Sequence, residues 1–250
     1  MLKKSVFLHP QNWGCSSAGR ALGSQSRGRG FESRLLHKIS ELGTSSRKGF
    51  HTPKIVFMTK VKTTVGKRWA KFCGWLLRKL GWTSVGGIME GNKAIVLGVP
   101  HTSIMDFPIC YLFYAQYGTL AHIMIKKEFF FWPLGPILRS LGGVPVDRSN
   151  AAASIRSIIK TFNENEFFHL AIAPEGTRKA VKKWKNGFHL IARETGAKVY
   201  VGYYDWGRKE ITVGQEWPLT DDANADMKRI QEHYSTLGLK GRNRSGYCYD

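Results

Sequence analysis

Long hydrophobic runs are missing from this 250-residue chain. No stretch reaches the roughly 20 consecutive apolar residues that a helix needs to span a bilayer, so neither a transmembrane helix nor a signal peptide is expected. Cysteine is scarce. The four present, Cys15, Cys73, Cys110 and Cys248, are scattered through a chain large enough to rest on its hydrophobic core, which favours free thiols in a reducing compartment. No C-x-x-C or H-E-x-x-H spacing announces a metal or redox centre, and neither metal nor cofactor is expected. Without a G-x-S-x-G elbow or a Walker loop, serine hydrolases and P-loop enzymes drop out as well. Acidic side chains are the last shortage: 18 against 38 lysines and arginines, for a net charge of +20. Such an excess needs an anionic partner. No zinc-finger, RNA-recognition or helix-turn-helix pattern accompanies it, so nucleic acid is not expected and anionic membrane lipid is the better candidate.

Two short polar stretches stand out. His101 is followed five positions later by Asp106, and Pro174, Glu175, Gly176, Thr177 and Arg178 form a second cluster. Imidazole titrates near neutrality and can take a proton from an alcohol when a carboxylate holds its other nitrogen in the right tautomer. A spacing of five does not stack two side chains on a helix. It suits a histidine in a loop with Asp106 at a helix start, where aspartate can also cap backbone N–H groups. The flanks agree: Lys93 to Val99 reads as a buried strand, and Phe107 to Tyr117 as an apolar helix that tolerates Pro108 in its first turn. Phe167 to Ala173 is a second buried strand running straight into Pro174. Both polar stretches thus fall at carboxyl ends of strands, where α/β sheets build their clefts.

Taken together, these stretches resemble the glycerolipid acyltransferase superfamily, which includes the lysophosphatidic acid (1-acylglycerol-3-phosphate) acyltransferases. His101 to Asp106 matches the first family block, N-H-x4-D, and Pro174 to Arg178 the third, [FP]-P-E-G-T-R. Gly142 to Arg148 is similar to the second. The segments Ile125 to Phe129, Trp132 to Pro136 and Trp184 to Phe188 also follow the family, so the similarity runs from about residue 67 to 215 in the right order. The resemblance implies a single α/β domain with a mixed central sheet flanked by helices. It implies transfer of a fatty acyl group from acyl-CoA or acyl carrier protein to the hydroxyl of a lysophospholipid. His101 would be the general base and Asp106 its orienting partner. Arg148 and Arg178 would grip the acceptor phosphate, Gly176 and Thr177 would shape that pocket, and Glu175 would bond a glycerol hydroxyl or fix Arg178.

Two positions depart from the family pattern. Pro100 stands where asparagine is usual, and Tyr200 replaces the proline of a Val-Pro pair in the fourth block, within Lys198 to Asp205. Acceptor choice is thereby opened, with a lyso-ornithine lipid or another lysolipid as alternatives. A non-catalytic basic lipid-binding protein is the contrasting class, and the joint presence of His101, Asp106, Arg148, Glu175 and Arg178 argues against it.

Residues 1–57 are rich in Gly, Ser and Arg and hold ten basic residues against two acidic ones. Ser16 to Ala21 back-translates as AGC TCA GCT GGT AGA GCA, resembling the D-arm of a tRNA gene. Gly30 to Ser33 back-translates as GGG TTC GAG TCC, resembling its T-arm. The expectation is a read-through extension with the protein proper beginning at Met58; the alternatives are a flexible tail or a transit peptide. The rest still carries about +12. Within 58–82, Trp69, Phe72, Cys73, Leu76, Leu77 and Leu80 recur at helical spacing among Lys67, Arg68, Lys71, Arg78 and Lys79. This reads as a basic amphipathic helix facing a membrane, with ordinary core packing as the alternative. Phe129 to Leu138 is too short to span and suits an acyl-chain groove, lipid contact or the core. Residues 83–237 are expected to form the domain, with a disordered basic tail at 238–250. The picture is a peripheral enzyme on the cytoplasmic face of a membrane. His122, His169, His189 and His233 are expected to be structural.

Overall fold

The computed structural model describes residues 63–147 and 149–243, all within one unit, Lys54–Asp250. The extension at 1–57, Arg148, Cys15, Cys248 and the last seven residues lie outside the described residues.

Seven strands form one mixed sheet in the order β1-β7-β6-β2-β5-β3-β4. They are β1 (Thr83–Ser84), β2 (Lys93–Val99), β3 (His122–Lys126), β4 (Gly143–Val146), β5 (Phe168–Ile172), β6 (Lys198–Asp205) and β7 (Glu210–Thr212). All neighbours pair in parallel except β6 with β7. Among the described residues the α-helices are α1 (Lys67–Lys79), α2 (Asp106–Ala115), α3 (Leu134–Ser140), α4 (Ala151–Glu164), α5 (Gly187–Thr195) and α6 (Ala223–Thr236).

Period-two side-chain alternation divides the core between the two faces of the sheet. Ile95, Leu97 and Val99 of β2 join Val199 and Val201 of β6 under Ile158 and Phe162 of α4, Phe188 and Ile191 of α5, and Ile230 and Tyr234 of α6. Ala94 and Val96 face the other way with Tyr200 and Tyr204, beneath Cys73 and Leu77 of α1 and Ile109, Leu112 and Phe113 of α2. Both β2 and β6 are therefore buried on both faces, as interior strands of a parallel sheet must be.

From β2 the chain leads through α2 to β3, leaving the space that β5 later fills; β6 then returns to the opposite side of β2. This reversal places the loop after β2 beside the loop after β5. Leu97 pairs with Ile172, so His101, four residues on, and Glu175, three residues on, leave adjacent strands at nearly the same height.

Several boundaries differ from the sequence expectation. Helix α5 starts only at Gly187, because the Lys185 N–H donates to Pro174 O at 2.7 Å and holds the preceding stretch as a loop. It ends at Gly196, whose left-handed φ of 66° suits glycine. The two-residue β1 was missed, being too short to show alternation. The expected disordered tail is docked as far as Asn243: Leu239 is buried in the core, and Asp222 caps α6 from its other end by accepting from the N–H groups of Asn224 and Ala225.

Helix α1 does not present one apolar face. Cys73 and Leu77 pack into the core with Ala70 and Gly74, whereas Trp69, Phe72, Trp75 and Leu80 are exposed. Gly74 permits the close approach, since a Cβ there would lie 3.3 Å from the Gln116 side chain. Trp69 donates its indole N–H to the Tyr111 hydroxyl at 2.9 Å. Among the described residues no helix is long and apolar enough to cross a membrane.

Candidate active site

The strand β2 delivers His101 into a short loop, and Asp106 opens α2. Asp106 is 2% exposed, and its Oδ2 lies 3.0 Å from His101 Nδ1. An ionised carboxylate only accepts, so Nδ1 is the donor and Nε2 keeps its lone pair. The same Oδ2 accepts the backbone N–H groups of Thr102 and Ser103, each at 2.9 Å. Here the structure corrects the capping expectation: Asp106 bonds no N–H of its own helix but reaches back to bind the loop that carries His101. That geometry explains the spacing of five, because one carboxylate closes the loop on itself and aligns the ring.

The second oxygen of Asp106 has a separate partner. Oδ1 accepts the indole N–H of Trp206 at 2.8 Å. Trp206 follows β6, whose carboxyl end is next to that of β2, and nothing in its local sequence marked it as a site residue. Only strand order could have revealed it.

Glu175 is buried at the end of β5, and both its oxygens accept the His101 backbone N–H, at 2.9 and 3.2 Å. It therefore holds the backbone of His101 and is not paired with Arg178, which is exposed. Burial pushes the Glu175 carboxyl up to about 7; the His101 N–H draws it down and the Asp106 charge adds to the rise. Gly176 adopts a left-handed φ of 65°, a region that favours glycine. A Cβ there would also fall 2.9 Å from the Lys185 side chain, whose ammonium is only slightly farther, at 3.1 Å. Lys185 is thus a cation at this turn that the sequence reading did not single out. Thr177 Oγ1 accepts the Lys179 N–H at 3.3 Å.

His101, Asp106 and Glu175 are thus joined by hydrogen bonds, while Gly176, Thr177 and Arg178 follow in the next turn. Arg148 lies outside the described residues; its neighbour Asp147 pairs with Lys127 at 2.6 Å. The Lys127 ammonium and two bonds from Ser149 hold the Asp147 carboxyl well below the usual range. His122, His169 and His189 are buried. His169 Nε2 faces Gly91 O at 2.8 Å, and His189 Nε2 faces Asp226 at 3.1 Å, both away from the cleft. Cys73 and Cys110 are free thiols. The described residues hold no group of three or more His, Cys, Asp or Glu side chains able to bind a metal ion.

A mixed, mostly parallel α/β sheet carrying an imidazole–carboxylate pair at the carboxyl ends of its strands defines a class of domain with the groups for acid–base chemistry. Residues 87–204 match the family model described as Acyltransferase. Among solved structures, the chain is similar to the crystal structure of the 1-acyl-sn-glycerophosphate (LPA) acyltransferase, PlsC, from Thermotoga maritima. The identity is 20%, over 70% of this chain and 80% of that one, with a TM-score of 0.47. No curated protein matches the sequence.

Proposed function

We propose that this acyltransferase moves a fatty acyl group from acyl-CoA or acyl carrier protein to the free hydroxyl of a lysophospholipid such as 1-acylglycerol-3-phosphate. The observation that carries the proposal is the His101–Asp106 pair, with Nδ1 occupied by the carboxylate and the His101 side chain 29% exposed. His101 Nε2 takes the proton of the acceptor hydroxyl as its oxygen attacks the thioester carbonyl carbon. Asp106 keeps the ring in the reactive tautomer and stabilises the imidazolium. As the tetrahedral intermediate collapses, the carbon–sulfur bond breaks and the thiolate leaves with the proton returned by the imidazolium. No cofactor is needed for these steps. Such proton transfer is worth about a hundredfold to ten thousandfold in rate.

Arg178, exposed beyond Glu175, and Arg148 supply guanidinium groups suited to bidentate binding of the acceptor phosphate. Gly176 and Thr177 shape the turn that presents Arg178, and Glu175 holds the His101 backbone from behind. The exposed aromatics of α1, ringed by Lys67, Arg68, Lys71, Arg78 and Lys79, support docking on an anionic membrane surface. Phe129, Phe131 and Ile137 are exposed as well, and Trp132 is 85% exposed, offering further lipid contact. The working location is the cytoplasmic face of a membrane, held peripherally.

The deciding experiment is transfer of labelled acyl groups from both donors to a panel of lysolipids, lyso-ornithine lipid included, comparing the chain with its His101→Ala variant. Transfer abolished by the substitution is expected, and the panel then identifies the acceptor. A folded, vesicle-bound chain with no transfer to any acceptor returns the protein to the lipid-binding class.

A further inference from the structure

We propose that Trp206 is a positioning residue for the His101–Asp106 pair, and that the carboxy-terminal segment Leu239–Asn243 is a strap that holds both Trp206 and the His101 loop in place. The proposal rests on the general-base reading of His101. Both parts lie beyond residues 87–204, the span that the Acyltransferase family model matches.

The carboxylate of Asp106 is bonded on both of its oxygens. Its Oδ2 collects His101 Nδ1–H and two loop N–H groups, whereas the partner of Oδ1 is the Trp206 indole N–H, at 2.8 Å. A planar carboxylate bonded on both oxygens cannot turn about its Cβ–Cγ bond without losing a charge-assisted hydrogen bond. With Oδ1 released, Oδ2 could swing while the imidazole followed it.

The indole itself is braced on several sides. Trp82 packs edge-on against it, with centroids 4.9 Å apart at 86°, and the Arg242 guanidinium lies 4.9 Å from the ring centroid. The Trp206 backbone N–H donates to Lys240 O at 2.8 Å. Asp205 secures the turn by accepting the N–H groups of Gly207, Arg208 and Lys240 at 2.8, 3.3 and 3.3 Å.

The segment that braces Trp206 also reaches the residue next to His101. The Arg242 N–H donates to Thr102 Oγ1 at 2.9 Å, and Asn243 donates to the same oxygen from its backbone and to Thr102 O from its side-chain amide, at 3.5 and 3.0 Å. Gly241 runs so close that a Cβ there would collide with the Thr102 side chain. Leu239, buried in the core, fixes the start of the strap. One short segment therefore grips the loop of the base and the support of its carboxylate together. A group that orients a reacting side chain acts only if it is itself held, and the strap meets that condition.

The test uses the full chain and its Trp206→Phe variant, which keeps a ring and removes the N–H. The expected result is a kcat roughly tenfold lower, in line with one lost hydrogen bond to a charged group, with KM for both substrates unchanged and the fold retained by circular dichroism. An unchanged kcat in a chain that His101→Ala inactivates overturns the positioning role and leaves the acyl-transfer reading standing. Thr102→Val, which removes the oxygen bonded by Arg242 and Asn243, is expected to lower kcat in the same sense; an unchanged kcat there overturns the strap. If Trp206→Phe does not fold, the indole N–H proton resonance of Trp206 is compared between the original chain and His101→Ala. The resonance is expected to move, because Asp106 loses its other side-chain donor, and a resonance that stays put overturns the proposal. This comparison also stands if no lysolipid proves to be an acceptor, so failure of the activity reading is separable from failure of the positioning reading.

Discussion

Burial holds the Glu175 carboxyl protonated up to about pH 7, against an ordinary value of 4.5. Between those limits the folded chain keeps a proton that the unfolded chain has released, so stability on this account is full below pH 4.5 and is lost as pH rises toward 7. The loss amounts to about 3 kcal/mol. Glu175→Gln stays neutral and still offers an oxygen to the His101 N–H. Urea unfolding of the two chains is expected to give equal stabilities below pH 4.5 and a growing advantage to the glutamine variant up to pH 7; parallel curves would refute it. Gly176→Ala is expected to cost about 1 kcal/mol or more, because alanine must adopt the left-handed backbone, and to displace the Lys185 side chain that its Cβ would meet. Thermal unfolding measures the first effect, and a raised KM for the acceptor the second. The sequence nominated Glu175 from its place in the second polar stretch. Its bond to a backbone N–H could not be foreseen, because that partner arrives through the pairing of β2 with β5.

Helix α1 has both buried and exposed apolar residues, and substitution can separate their roles. Leu77 is fully buried between α1 and the sheet. Leu77→Ala is expected to destabilise the fold by about 2 to 5 kcal/mol, read as a lower midpoint in urea. Phe72 and Trp75 are exposed, and the Phe72 ring lies 5.2 Å from that of Trp69 and 5.8 Å from that of Trp75, centroid to centroid. Phe72→Glu combined with Trp75→Glu is expected to abolish flotation with anionic liposomes while leaving circular dichroism and the melting temperature unchanged. Retained flotation would remove α1 from the membrane contact. Helical periodicity announced this element but merged its two apolar stripes into one, because period alone does not say which stripe meets a neighbouring helix.

The chain as a whole carries +20, of which about +12 remains outside residues 1–57. Attraction between this charge and an anionic bilayer is screened, since the Debye length shrinks from about 10 Å at 0.1 M salt to about 3 Å at 1 M. Binding to vesicles containing phosphatidylglycerol is expected to weaken steeply across that range, as measured by sedimentation. Binding indifferent to salt would assign the contact to the exposed aromatics alone. Cooperation between distant parts is also evident at the site: β2, β5, β6 and the segment after α6 each contribute a group that bonds to His101, Asp106 or their loop.

Sequence alone determined the α/β alternation, the two strand-end motifs and the identity of the paired imidazole and carboxylate, because periodicity and close spacing are local properties of a chain. Tertiary structure decided which oxygen of Asp106 meets which donor, that Glu175 supports the His101 backbone and that the stretch through Asn243 is docked. Those contacts span 74, 100 and 140 residues of sequence for Glu175, Trp206 and Arg242 respectively. Only the order of strands in the sheet brings such residues together, and no local pattern encodes that order.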